Sequence, residues 1–471
     1  MRHKDLTNHI PGTAPYLISP LQAFTAQPGV TVNFASGIMG SSSSNITNMT
    51  AVAAAASDSD VIVFIGGIDE TIESESKDRT QIAWSAAQTS IINELATYKK
   101  PFAVVQMGGG GLDSTFIKQK KNIGSLLWAG YPGQSGGQAI ADIIFGKVSP
   151  AGRLVAGQYP ANYVNQVPMT DMSLRPSNGS TNSTNPGRTY QWYDNFVYPF
   201  GYGKSYTTFK ASLSVPGPAI VSNVAFSTSS LVAACRQSGG VEFMDQCPFR
   251  TFTVTVTNTG GYASDYSALL FISGKHGLAP YPISRLAGYT RLSSIPLNTA
   301  ASAEIPLTLG NLARTDAQGR KVLYPGTYKI SIDTTPALAS LTFTLSGPEM
   351  VLEDFPTPPT PVAQNPKPVL TALPLPSGYT NLGCYVENDS GARYLPFEAY
   401  DNGTNTPTQC ALACTQAGYS VSGTEYSSQC WCGTAVPPGK APETDCSKAC
   451  RGDGAQPCGG TWRADVVRFG S

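Results

Sequence analysis

The stretch VIVFIGGIDETIESESKDR, Val61–Arg79, decides how the rest of the chain is read. Five consecutive apolar residues, Val61–Ile65, end on Gly66 and Gly67 and open into a segment with five acids: Asp69, Glu70, Glu73, Glu75 and Asp78. An apolar run closed by glycine reads as a fully buried strand. In an open α/β sheet ligands gather beyond the carboxyl ends of such strands, so the carboxylates stand where chemistry is expected. Asp78 followed three residues later by Gln81, ahead of Ile91, Ile92, Leu95 and Tyr98, reads as a capping box that opens a helix over Arg79–Tyr98. Asp69, Glu70, Glu73 and Glu75 then occupy the loop between strand and helix.

Outward from this segment the pattern repeats. Val30–Phe34, Phe102–Met107 and Ser125–Ala129 read as further buried strands, and Met49–Ser57 and Gly136–Phe145 as helices, the alternation of a parallel sheet flanked by helices. From Phe209 to about Gly347 the period changes to two. Phe252, Val254 and Val256 alternate with threonines, followed by Tyr328, Ile330 and Ile332, then Leu341, Phe343 and Leu345, with turns at Asn258–Gly261 and Pro325-Gly326; this predicts an antiparallel sandwich. Cys235 and Cys247, the only cysteines outside the C-terminal tail, are expected to pair across a short loop. Eight prolines between Phe355 and Ser377 argue for a polyproline-like spacer reaching up to about 70 Å at ~3.1 Å per residue. In Gly378–Ser471 eight of the ten cysteines crowd together, an even number in a short segment, which is a disulfide framework whose pairing stays open. Their CxxxC and CxC spacings, with no histidine beyond His276, argue against zinc.

With 471 residues, about three domains of roughly 150 residues each are expected. Lys plus Arg equals Asp plus Glu, and only 13% of residues are charged, so no basic face for nucleic acid or an anionic membrane is implied. No apolar run reaches the length of about 18 residues needed to span a bilayer. A neutral, polar ligand such as a sugar fits better. Sequons at Asn45, Asn48, Asn178, Asn182, Asn388 and Asn402, with the clustered cysteines, point to an oxidising, secretory route. Met1–Gly12 lacks the apolar core of a signal peptide, and the expectation is a truncated gene model whose upstream half, signal included, is lost.

Several motifs, in order, carry a resemblance: GTAPYLISPLQAF (Gly12–Phe24), the acid-bearing loop, LLWAGYPGQSGG (Leu126–Gly137), PAGRL (Pro150–Leu154), VPMTDMSLRP (Val167–Pro176), NPGRTYQWY (Asn185–Tyr193) and YPFGYGKSYTTF (Tyr198–Phe209). Together they resemble the C-terminal half of a fungal glycoside hydrolase family 3 β-xylosidase. GCYVE (Gly383–Glu387), GTEYSSQCWCG (Gly423–Gly433) and CGG (Cys458–Gly460) resemble the WSC domain, a small carbohydrate-binding module. The resemblance implies a multidomain chain: a family 3 C-terminal α/β domain with a mostly parallel sheet over 1–208, an all-β fibronectin type III-like sandwich over 209–347, a Pro-rich linker over 348–377 and a disulfide-rich WSC domain over 378–471. It also implies xylan 1,4-β-xylosidase activity on xylo-oligosaccharide or xylan, with cell-wall polysaccharide held by the WSC domain and no cofactor.

Retaining hydrolysis needs a carboxylate nucleophile and a carboxylic acid that protonates the leaving oxygen. In the family the nucleophile is an aspartate of an N-terminal (β/α)8 barrel, in a Ser-Asp-Trp type motif, and nothing upstream of Gly12 holds it. Ser57-Asp58 and Ser59-Asp60 precede a strand instead of following one. The family's Glu-Ala-Glu before Asp-Arg maps onto Glu73, Ser74, Glu75, Asp78 and Arg79, so Glu73 and Glu75 are alternative acid/base residues, Glu73 marginally favoured and Asp69 third. The other glutamate is expected in a salt bridge to Lys77 or Arg79. Because an acid alone cannot complete a double displacement, a non-catalytic carbohydrate-binding or wall-associated protein is the alternative; α-L-arabinofuranoside and β-glucoside are alternative substrates. In the tail Tyr394, Trp431 and Trp462 are candidates for stacking on sugars, or equally for filling the small core.

Three other patterns are set aside. Ser135 in Gly133-Gln-Ser-Gly-Gly137 satisfies a nucleophile-elbow pattern but has no placed base, and the glycines are expected to pack the following helix on the sheet. Gly108–Gly111 lacks a phosphate-loop ending and reads as a tight turn. His3, His9 and His276 are too scattered for a metal site.

Overall fold

A computed structural model describes residues 14–41, 45–75, 77–168, 171–177, 184–215, 225–334, 336–355, 375–388 and 392–469. Most of the expected Pro-rich linker, the N-terminal segment 1–13 and the sequons at Asn178 and Asn182 lie outside the described residues. The chain divides into two units, Met1–Phe355 and Pro356–Ser471.

The first unit begins with a parallel sheet of β1 (Ile62–Gly67), β2 (Phe102–Met107) and β3 (Ser125–Gly130), in that order. Ile62 pairs with Phe102, and Val104 with Leu126, so β2 is central and its Val104 and Val105 are fully buried. Helices Met49–Ser57 and Ala86–Leu95 present Val52, Ile91, Ile92 and Leu95 to Phe64 and Val104 in one core. Each large apolar side chain buried this way contributes about 1.5–3 kcal/mol.

Two expectations fail here. Val30–Phe34 is not a strand. It finds no ladder partner: Asn33 spends its side-chain amide on the Asp58 carbonyl (3.0 Å) and the Ser59 hydroxyl (3.2 Å), and Phe34 is 65% exposed. Nor does Asp78 cap the long helix, which opens at Ala86 behind Ser85, whose hydroxyl accepts from the Gln88 N–H at 3.2 Å. The cause is Gln88. Its buried amide accepts from the Gly67 N–H (2.7 Å) and donates to the Gly67 carbonyl (2.8 Å), fixing the helix start against the strand end. The Ile82 carbonyl is spent on the Asp113 N–H at 2.7 Å, outside any helix.

The sandwich packs a five-stranded sheet, in the order Ala225–Ser227, Ala339–Ser346, Gly326–Ile332, Ser264–Ser273 and Arg285–Ile295, against Phe209–Ser214, Pro248–Asn258 and Ala300–Thr308. The period-two residues Phe252, Val254 and Val256 meet Tyr328, Ile330, Phe343 and Leu345 in its core. Most pairs are antiparallel, but the edge strand Ala225–Ser227 runs parallel to Ala339–Ser346. It leads into a helix, Thr228–Ser238, tied down by the expected disulfide Cys235–Cys247. Met350–Glu353 adds a further strand against Lys321–Leu323.

A buried polar knot joins the α/β region to the sandwich. Arg153 from the PAGRL motif contacts Asp333 at 2.9 Å and donates to the Ser267 carbonyl at 3.2 Å, while the Tyr266 hydroxyl also donates to Asp333. Burial pushes the Asp333 carboxyl up, and Arg153 and Tyr266 oppose that shift.

The second unit is a five-stranded antiparallel sheet in the order Tyr379–Val386, Arg463–Phe469, Val421–Glu425, Gln429–Gly433 and Phe397–Asp401, covered by helix Pro407–Gln416. Its disulfides are Cys384–Cys446, Cys410–Cys430, Cys414–Cys432 and Cys450–Cys458. Two of them join the helix to the Gln429–Gly433 strand, which is how so small a core holds together.

Candidate functional site

The loops that leave the carboxyl ends of β1, β2 and β3 come together at one end of the sheet, since Gly67 is level with Met107, and Met107 with Gly130. The first of these is the acid-bearing loop. Asp69 builds it: its carbonyl accepts from the N–H groups of Ile72 (2.9 Å) and Glu73 (3.1 Å), and its carboxylate accepts from the Thr71 N–H and hydroxyl. Partial burial would raise the Asp69 carboxyl, but the hydrogen bonds from Ser41 and Thr71 outweigh it and hold it below its usual range. Asp69 is therefore a turn-former. Ser74 and Lys77 then exchange backbone hydrogen bonds (3.1 and 3.0 Å), which leaves Glu75 exposed at the tip of a small hairpin.

The two glutamates stand in different surroundings. Glu73 is half-buried and ion-paired with Arg79, whose guanidinium also donates to the Gly111 carbonyl at 3.2 Å. The Gly108–Gly111 run makes room for this pair: a Cβ on Gly110 would stand 2.6 Å from Glu73 Oε1 and 2.3 Å from the Arg79 guanidinium. The glycines are thus a seat for an ion pair as well as a turn, a use that spacing in the sequence does not reveal. Tyr131, from the β3 loop, lies where a Cβ on Gly109 would approach it to 2.8 Å. Burial raises its phenol, and the charges of Glu73, Asp69 and Glu70 raise it further, so these groups share one electrostatic environment.

A cleft of about 320 Å³ lies beside the loop, lined by Gly67, Ile68, Ile72, Arg79, Trp84 and Gln88; neither Glu73 nor Glu75 lines it. The geometry thus ties Glu73 to Arg79 and leaves Glu75 exposed on the hairpin. Ser135 shares a hydrogen bond with the Tyr16 hydroxyl at 2.9 Å. His276 is stacked on Tyr328 inside the sandwich instead. Gly137 serves a close approach after all, but to backbone at Ile18 and Ser19, where a Cβ would meet the Ser19 carbonyl carbon at 2.3 Å, not to the sheet.

In the second unit the sequence-predicted aromatics are organised by a residue that sequence reading missed. The Arg393 guanidinium lies between two indoles, 3.7 Å from the Trp431 ring centre and 5.0 Å from that of Trp462. It is also ion-paired with the buried Glu425. Burial raises the Glu425 carboxyl and Arg393 opposes the shift. Each indole therefore gives a face to the cation. Trp462 and Tyr394 are exposed, whereas Trp431 is half-buried with its N–H directed to Gln429 Oε1 at 3.3 Å. Trp431 is the most core-like of the three. Buried Glu387 accepts from the N–H groups of Tyr394 and Leu395 and so fixes the turn that presents Tyr394.

Residues 6–206 match the glycosyl hydrolase family 3 C-terminal domain, and residues 381–460 match the WSC domain. Over 346 residues the chain is 46% identical to a probable exo-1,4-beta-xylosidase, xlnD, of Aspergillus fumigatus, covering 73% of this chain and 42% of that protein. The exo-1,4-beta-xylosidase xlnD of Aspergillus oryzae is 43% identical over the same shares. The chain thus spans less than half the length of the curated relatives it matches. Among solved structures, a family 3 exo-beta-xylosidase (XlnD) in complex with a xylobiose aziridine activity-based probe is similar with a TM-score of 0.68 and 41% identity, over 74% of this chain and 43% of that one. A family 3 beta-glucosidase from Bifidobacterium adolescentis shares the fold, with a TM-score of 0.54 and 23% identity over 70% of this chain and 46% of that one.

Proposed function

We propose that this chain, which carries the C-terminal domain of glycosyl hydrolase family 3 together with a WSC domain, supplies the acid/base half of a secreted β-xylosidase that releases xylose from the non-reducing ends of xylo-oligosaccharides. The observation that carries the reading is the placement of Glu75: an exposed carboxyl on a hairpin beyond the ends of a parallel sheet, with its neighbour Glu73 held by Arg79. Glu75 donates a proton to the departing glycosidic oxygen and then takes one from water, while Glu73 positions the hairpin. This reverses the marginal preference for Glu73 drawn from the sequence. The nucleophile comes from the barrel that the family resemblance implies. In the WSC domain Tyr394 and Trp462 offer flat surfaces to a polysaccharide, and tethering raises local substrate concentration without any contact at the catalytic centre. Five disulfides and the exposed sequons Asn45 and Asn402 support secretion.

The test is a chimaera in which residues 16–355 replace the matching segment of the Aspergillus oryzae relative. It is expected to hydrolyse xylobiose, and Glu75→Gln to lower kcat by about 10²–10⁴-fold. The loss should be larger on xylobiose than on 4-nitrophenyl β-D-xyloside, whose leaving group departs without a proton, and added azide should restore turnover of the latter. Glu73→Gln should slow both substrates alike. If Glu73→Gln shows the leaving-group dependence instead, the roles are exchanged. A folded chimaera that hydrolyses neither substrate would favour a carbohydrate-binding protein.

A further inference from the structure

Three arginines converge where the sandwich meets the segment after Asp171, and among the described residues no carboxylate neutralises them. The two regions are joined there by the Ile283 N–H donating to the Gln191 carbonyl (2.8 Å) and the Leu286 N–H to the Tyr190 hydroxyl (3.0 Å). Arg314 is buried and donates to the carbonyls of His276 (2.6 Å) and Pro280 (3.0 Å); Arg285 is half-buried and donates to the Asn311 carbonyl at 2.7 Å. Arg175 is exposed and lies over the Trp192 ring at 5.4 Å, and Arg314 over the Tyr281 ring at 5.7 Å. Among the described residues none of the three makes an ion pair. Two acids of the adjoining segments are already engaged: Asp171 accepts from the Ser173 N–H (2.8 Å) and the Asn185 amide (3.1 Å), and Asp316 is paired with Arg320 at 2.7 Å.

Such a cluster is costly unless something anionic completes it, because partly buried like charges repel and a buried cation without a counter-ion loses its hydration. Burial and the neighbouring guanidinium lower the affinity of Arg285 and of Arg314 for their protons, and the same two arginines, after burial, push His276 down to about 4. The arginines are also under-used. A guanidinium carries five N–H donors, yet one is spent by Arg285 and two by Arg314, and none of their nitrogens is among the buried atoms left without a partner. Of the three, Arg175 is exposed.

We propose that Arg175, Arg285 and Arg314 bind the carboxylate of an acidic saccharide, with Trp192 and Tyr281 against its sugar rings: a uronic acid carried on a xylan chain. Guanidiniums match a carboxylate in fork geometry, and aromatic rings beside them favour a sugar acid over a bare anion. The site uses none of the residues of the acid-bearing loop, and it rests on the reading above only for the choice of sugar.

Isothermal titration of the whole chain tests it with three probes: xylotriose bearing one glucuronic acid, neutral xylotetraose and sodium sulfate. The acidic oligosaccharide should bind about tenfold or more tightly than the neutral one, Arg175→Ala should abolish that difference, and added salt should weaken it. Arg175 is exposed, so its variant is expected to fold; Arg314→Gln, verified by its unfolding curve, is the second. Equal binding of acidic and neutral oligosaccharides, an unchanged preference in a folded Arg175→Ala, or sulfate binding as tightly as the acidic sugar would each overturn the proposal. Failure of the chimaera to hydrolyse xylobiose leaves this binding measurement unaffected, so the two readings fail separately.

Discussion

Replacing Arg153 by alanine is expected to lower the unfolding free energy of the first unit by about 3–5 kcal/mol, the cost of leaving a buried carboxylate without its partner. Asp333 would keep the Tyr266 hydroxyl and a long contact from the Leu269 N–H at 3.4 Å, but neither neutralises it. Arg153 also covers the Tyr266 ring at 4.9 Å, so packing is lost with the charge. The double variant Arg153→Met with Asp333→Asn removes both charges and should recover much of the loss, because a buried pair is worth far less than the penalty for breaking it. Urea unfolding of the two variants checks this. A single variant as stable as the parent would show that the knot between α/β region and sandwich is ornamental.

The second unit should be less stable at pH 8 than at pH 4.5, and Asp465→Asn should remove most of the difference, the raised Glu425 carboxyl keeping the rest. Asp465 is almost fully buried opposite Thr424 and Cys384, and both its Oδ2 and the Thr424 Oγ1 lack a hydrogen-bond partner. Burial pushes the carboxyl from its ordinary 3.8 up to about 7, Glu443 adding to the shift and Asn381 opposing it. A raised value means that the folded unit holds the proton more tightly than the unfolded chain. The associated stability is complete below about pH 4, declines as pH rises through the folded value, and is gone above it, a span of about 4 kcal/mol. Calorimetry of the whole chain at the two pH values would register it as a fall in the melting temperature of the WSC transition. A WSC transition insensitive to pH, or unchanged in Asp465→Asn, would show that the carboxyl is hydrated after all.

Much of this architecture was legible because the sequence states its periods plainly. Phe102–Met107 and Met49–Ser57 fall where the apolar pattern places them, since both are long enough and buried enough for pattern to dominate. Val30–Phe34 carries the same alternation but has no strand to pair with, which is a tertiary fact. The helix start at Ser85 was missed because Asp78 and Gln81 imitate a cap, while the true determinant, Gln88, acts through the backbone of Gly67, a contact across 21 residues. At the acid-bearing loop the carboxylates were readable and their surroundings were not. That Glu73 meets Arg79 depends on where Arg79 turns, and that depends on the space above Gly110. Likewise aromatics in the tail announce themselves, whereas Arg393 becomes meaningful only when Trp431 and Trp462 close on it.

The Gln88 amide has an evolutionary implication. By fastening Gly67 to the first turn of a helix, it closes the excursion between them at its base, much as a clasp closes a chain. What hangs beyond the clasp can be lengthened, shortened or rewritten while strand and helix stay put. A chain with this arrangement can change what its hairpin reaches for without redesigning the platform beneath it.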